Sequence, residues 1–173
     1  MEKNKMRKKE ALKLLKEEGC SENVIKHVLM VSRNALRVAR RVNENGGQMD
    51  ERVVEIGGLL HDIGRSKTNS VLHGIEGARI LKKHGVHPIF IEICENHLGA
   101  GIDKKEAEKL GLPKRDYLPK TKEGRLIAYI DNLVEDSKII SFNEALKDFK
   151  KKIKNEGSIR RFIKMNKEFG KYL

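Results

Sequence analysis

Apolar residues recur along this chain at intervals of three and four, the spacing that gathers them on one side of an α-helix. Val24, Val28, Val31, Ala35, Val38, Ala39 and Val42 form one such stripe, with Ser21 placed to cap its start and Asn45-Gly46-Gly47 to end it. The same reading predicts a short amphipathic helix over 8–18. A third helix opens after Asp50, runs through Leu59, Leu60 and His61 and closes at Gly64; a fourth spans about 73–84, and Pro88 opens a fifth that runs to His97. The stretch 99–122 holds Gly99, Gly101, Gly111, Pro113 and Pro119 and reads as an irregular loop with one helical piece over 104–110. Loops of that length inside compact domains are often functional. Helix resumes over 123–135, and two basic helices, over 142–154 and 158–169, complete the pattern. No strand period is visible. The expectation is an all-α bundle: a helix within 1–20 packed on the domain, a main domain over 21–137, and a helical extension of the same domain over 138–173.

Composition adds the character of core and surface. The chain has 173 residues, suited to one domain, with 38% hydrophobic and 5% aromatic residues, so its core is built mainly from aliphatic side chains. Charged residues make up 36%, and the net charge of +12 draws anions such as nucleotides, nucleic acids or acidic surfaces, unless it is only a lysine-rich solvated face. Cys20 and Cys94 form no CxxC pair and suggest neither a disulfide framework nor a zinc knuckle. Residues 1–10 lack the apolar stretch of a signal peptide, and no run approaches the roughly 20 apolar residues that span a bilayer. A cytoplasmic protein with no membrane partner is expected.

The informative residues are polar ones on apolar faces. His27 falls between Val24 and Val31 in the stripe, and Asp131 follows Ile127 by one helical turn. His97 follows Ile93 and Phe90, His73 opens a helix carrying Ile80 and Leu81, and His61-Asp62 end the run from Ile56 to Leu60. A single such histidine is usually a hydrogen-bonded core residue, and Asp131 alone has a ready partner in Arg125 or a C-terminal lysine. A buried unpaired carboxylate nevertheless costs several kcal/mol. Six of these residues on five segments are more simply explained by one shared cause, a bound metal. Imidazole and carboxylate without thiolate suit Mn, Fe, Co, Ni or Zn rather than a closed structural zinc site. An open position on such an ion leaves room for water, whose pKa the ion lowers toward neutrality.

His27, the adjacent His61-Asp62 and the distant Asp131 resemble, in order and approximate spacing, the H…HD…D signature of the HD phosphohydrolase superfamily. His61-Asp62-Ile63-Gly64 resembles its HDIG subgroup, and the likeness covers about 21–137. Within it, Gly99-Ala100-Gly101-Ile102, Leu110-Gly111-Leu112-Pro113 and Asp131-Asn132-Leu133 look like a small archaeal HDIG group of undefined substrate. The resemblance implies a helical bundle whose metal site lies between helices. His27, His61, Asp62 and Asp131 would hold a first divalent ion, and Asp62 would bridge to a second held by His73 and His97. The one-ion alternative leaves His73 and His97 as substrate contacts. Arg65 stands where HDIG enzymes often carry a phosphate-touching lysine, and is taken with Asp62 as catalytic; Lys67, Lys120 and Arg125 are weaker phosphate-binding candidates. Gly64 is expected to let the chain turn away after the ligand pair. The Gly-Tyr-Pro element of the superfamily's cyclic-dinucleotide phosphodiesterases is absent. The surroundings of His73 and His97 look closer to bacterial enzymes that split dinucleoside tetraphosphates.

The function implied is a metal-dependent phosphohydrolase that cleaves a phosphomonoester or phosphoanhydride, with a nucleotide the expected substrate, by metal-activated water. Two alternatives remain beside it: an RNA-directed phosphodiesterase using the basic C-terminal helices, and a regulatory protein that binds a nucleotide without turnover.

Overall fold

The computed structural model describes residues 6–136 and 138–173. Expectations that fall on 1–5, and the domain boundary at Ser137, lie outside the described residues. The elements run α1 (Lys8–Glu17), α2 (Glu22–Glu44), α3 (Glu51–Leu60), a 3-10 turn (Ile63–Ser66), α4 (His73–Lys83), α5 (Pro88–Asn96), α6 (Lys104–Lys109), α7 (Lys122–Leu133), β1 (Val134–Glu135), β2 (Lys138–Ile139), α8 (Phe142–Lys152) and α9 (Glu156–Phe169), then a last 3-10 turn (Gly170–Tyr172). Caps set several starts. The Ser21 hydroxyl accepts from Val24 N–H, Asp50 accepts from Arg52 and Val53 N–H, and Ser141 and Glu144 form a reciprocal capping box.

Helix α2 lies along α3, and the two come close at Gly58, where a Cβ would sit 2.7 Å from the Ser32 Cα. One apolar cluster joins α2 and α7 to the two C-terminal helices through Val31, Val38, Leu126, Ile130, Phe149 and Phe162; the Phe149 and Phe162 rings stack with centroids 4.7 Å apart. A second lies under α1, α3, α4 and α5 and holds Leu15, Leu60, Ile63, Leu81 and Phe90. His61 and Asp62 follow directly on Leu60, and Asp131 directly on Ile130, so the polar residues sit on the seam between the two clusters.

Two expectations are corrected. Helix α7 ends at Leu133 rather than 135, and Val134–Glu135 pairs antiparallel with Lys138–Ile139. Asp136 adopts a positive φ of 44° in the connecting turn, and strands of two residues are too short to show an alternating period. Helix α3 ends at Leu60, before Gly64. That glycine has no positive φ; a Cβ there would overlap the carbonyl oxygen of His73, so it serves a close approach rather than a helix stop.

Candidate metal centre

The six sequence-predicted ligands arrive from separate elements. His27 lies in α2, His61 is the C-cap of α3 with Asp62 next to it, His73 opens α4, His97 is the C-cap of α5, and Asp131 sits in the last turns of α7. The structure brings them together. His27 Nε2 is 2.8 Å from Asp131 Oδ1 and 3.6 Å from Asp62 Oδ2, while His61 Nε2 is 3.4 Å from Asp131 Oδ1. On the other side, Asp62 Oδ1 lies 3.1 Å from His73 Nε2 and 3.2 Å from His97 Nε2. Ligand atoms of His27, His61 and Asp131 lie within 4.8 Å of one another, as do those of His61, Asp62 and His97. His61, Asp62, His73 and His97 are buried, as their apolar surroundings predict. His27 and Asp131 are not; their side chains keep 28% and 20% of their exposure.

Three of the rings are oriented by the same local device. Nδ1 of His61 bonds the Gly58 carbonyl at 2.8 Å, Nδ1 of His73 that of Ser70 at 2.8 Å, and Nδ1 of His97 that of Cys94 at 2.7 Å. A carbonyl oxygen only accepts, so each Nδ1 carries a proton and each Nε2 faces the site, where its lone pair, when unprotonated, is free for a cation. Among the described residues, the buried His61 Nε2 and Asp62 Oδ1 have no hydrogen-bond partner. Inward lone pairs beside two carboxylates form a donor set that fits a divalent cation.

The electrostatics of the ion-free cluster point the same way. Burial alone would lift the Asp62 carboxyl, yet the His61 charge and the nearby rings of His73 and His97 outweigh it and hold it well below the ordinary carboxylate range. Burial works against the charged form of Asp131 too, and is reversed by His61 and by the bond to His27. His61 is drawn down by burial but pushed up to about 9 by Asp62 and Asp131. Burial lowers His97. The carboxylates demand positive charge, which either protons on the imidazoles or a metal ion can supply.

A cavity of about 300 Å³ opens on His73, His97 and Asp131. Arg65 lines it, with its Nε donating to Asp62 Oδ2 at 2.7 Å. The weaker phosphate candidates do not gather there. Lys67 pairs with Glu18 at 3.2 Å, on the side where Glu18 also bonds His84. Arg125 pairs with Glu168 at 2.8 Å and lines a different cavity with Arg161 and Lys164. Lys120 lies outside the cavity, its backbone N–H donating to Glu92. A partner for a loop or helix-start cation depends on which distant helix folds beside it, and spacing along the chain does not show that. What the sequence reading missed is the cavity's far wall: Phe149, Lys152 and Ile153, from the end of α8 and just beyond it. Asn132, beside Asp131, ties α7 to the loop by donating to the Gly99 carbonyl at 2.7 Å.

Fold and site together define an all-α protein with a histidine–aspartate centre suited to divalent metal. The chain belongs to the HD domain family, whose pattern matches residues 24–136. It is 44% identical over 164 residues to an uncharacterized protein of Methanocaldococcus jannaschii, across 94% of this chain and 96% of that one. It is 40% identical over 151 residues to the tRNA (cytidine(56)-2'-O)-methyltransferase of Picrophilus torridus, and 36% over 156 residues to that of Thermoplasma volcanium. Those alignments take 87% and 90% of this chain but 43% and 44% of the methyltransferases, so the chain spans less than half of their length. Among solved structures, the HD domain of the L. monocytogenes phosphodiesterase PgpH matches with a TM-score of 0.55 at 18% identity, over 90% of this chain and 94% of that one. The same domain in complex with cyclic-di-AMP matches with a TM-score of 0.54 at 19% identity, over 90% and 92%. At that identity the likeness establishes the fold.

Proposed function

We propose that this protein is a metal-dependent phosphohydrolase acting on a phosphomonoester or phosphoanhydride of a nucleotide. One observation carries the reading: Asp62 faces His73 and His97 through Oδ1 and His27 and Arg65 through Oδ2, so a single carboxylate joins two sets of metal-capable side chains. His27, His61, Asp62 and Asp131 would hold one ion, and Asp62, His73 and His97 a second; Mn, Fe, Co, Ni or Zn suits the donors. When bound, such ions supply an activated water and offset phosphoryl charge. The chain's own part is to orient and to hold charge. Arg65 donates to Asp62 and reaches the cavity, where its guanidinium and the Lys152 ammonium stand ready for phosphate oxygens. Phe149 and Ile153 give that cavity an apolar wall. The test is elemental analysis of the purified protein with a phosphatase screen across these metals. Turnover should appear with at least one metal and vanish in Asp62→Ala; undiminished turnover in a folded Asp62→Ala protein overturns the reading.

A second reading, an RNA-directed phosphodiesterase, is favoured by the methyltransferases whose names specify tRNA and whose chains include a region like this one. Comparing metal-dependent cleavage of short RNA with that of mononucleotides separates the two, since only this reading expects RNA to be the better substrate.

A further inference from the structure

The longest helix presents a second feature, away from the metal centre. His27 and the apolar stripe occupy one side of α2. Its opposite face holds Lys26, Arg33, Arg37, Arg40 and Arg41, all exposed. They line a groove of about 810 Å³ that shares no residue with the metal-centre cavity. Four of the five are arginines, in a chain whose cations are otherwise mostly lysine. Arg40 pairs with Glu51, and Arg41 donates to the carbonyls of Tyr172 and Leu173. Among the described residues, Lys26, Arg33 and Arg37 have no hydrogen-bond or ion-pair partner. The groove's acidic members are Glu44 at one end and Glu55, which is engaged by Lys8 at 3.6 Å.

We propose that this groove binds the phosphate backbone of a nucleic-acid strand. From Lys26 to Arg41 the helix rises about 22 Å, which matches about six nucleotides of a helical strand at roughly 3.4 Å each. Arginine forks suit phosphate oxygens, and three unpaired cations bind them without first breaking an internal ion pair. No aromatic side chain lines the groove, so contact is with backbone rather than bases. Other occupants fit less well. A second copy of the chain would set like charges face to face. A lipid surface needs apolar side chains to insert, and Leu29, Met30 and Leu36 are only partly exposed within a concave floor. The inference does not rest on the metal chemistry.

The test uses the full chain, a fluorescein-labelled single strand of mixed sequence, and phosphatidylserine–phosphatidylcholine vesicles. Three to five phosphate contacts predict that log K falls with log salt at a slope of about −2 to −3.5. Arg33→Ala/Arg37→Ala should weaken strand binding about tenfold or more and flatten the slope by about 1.4, while Lys150→Ala/Lys151→Ala leaves both near the parent's values. Turnover of a small phosphoester, read in parallel, should be unchanged by Arg33→Ala/Arg37→Ala, which keeps failure of the metal reading separate from failure of this one. Strand affinity and slope retained in Arg33→Ala/Arg37→Ala, or binding to vesicles without binding to the strand, overturns the proposal.

Discussion

Nε2 of His73 lies 3.1 Å from Nε2 of His97, and both rings give their Nδ1 protons to backbone carbonyls. Two neutral rings so arranged point lone pairs at each other across a buried space. The contact is repulsive until a proton or a cation enters between them, and the adjoining Asp62 Oδ1 makes a cation the better occupant.

The pair tests ion stoichiometry. In the two-ion arrangement His73→Ala/His97→Ala removes one ion and leaves the set formed by His27, His61, Asp62 and Asp131. Metal content measured by mass spectrometry should fall by about half, with the helical circular-dichroism signal retained. Equal metal content in parent and variant would rule out the second ion.

Gly64 is the point where the 3-10 turn after the ligand pair meets the start of α4. Since a Cβ there would collide with the His73 carbonyl, Gly64→Ala forces backbone apart rather than rotating a side chain. A loss of about 3 kcal/mol is expected, at the upper end for overpacking. For a domain of this size that lowers Tm by roughly 6–12 °C. Scanning calorimetry showing an unchanged Tm would mean that the two segments do not meet as described.

Lys152 lines the same cavity as Arg65 and Asp131 and has no ion-pair partner among the described residues. If it receives a substrate phosphate, Lys152→Ala should raise KM by about tenfold, equivalent to about 1.4 kcal/mol of binding, with kcat and metal content little changed. A fall in kcat at constant KM would instead place Lys152 in the chemical step.

Glu18 joins α1 to the ends of α4 and the 3-10 turn. Its hydrogen bonds with His84, and then with Lys67, hold its carboxyl below the ordinary value of 4.5. A carboxyl depressed by folding contributes stability above its unfolded pKa and loses it as pH falls through the lower folded value. The Tm advantage of the parent over Glu18→Gln should therefore be present at pH 7 and shrink below pH 4.5. A constant offset down to pH 3 would refute the assignment.

Much of this was legible in the chain because helical period and caps are local. Ser21, Asp50 and Pro88 mark helix starts where the structure has them, and one periodic argument placed His27 and Asp131 on inward faces. That argument overstated their burial, since a period gives the direction a side chain takes and not the depth of what covers it. It also gave no sign of the α8 wall, because nothing near Lys152 in the sequence resembles a site; that helix is held beside the cavity by tertiary packing such as Phe149 on Phe162. The partner of Arg125 was hidden for a like reason, Glu168 lying 43 residues on.

Each of the three buried rings takes its bearing from a carbonyl three residues behind it in its own segment. Aim is thus stored within short peptides, and no outer ring of acids is required to impose it. The chamber beyond can change its lining, or exchange one wall for another, without the imidazoles losing their heading.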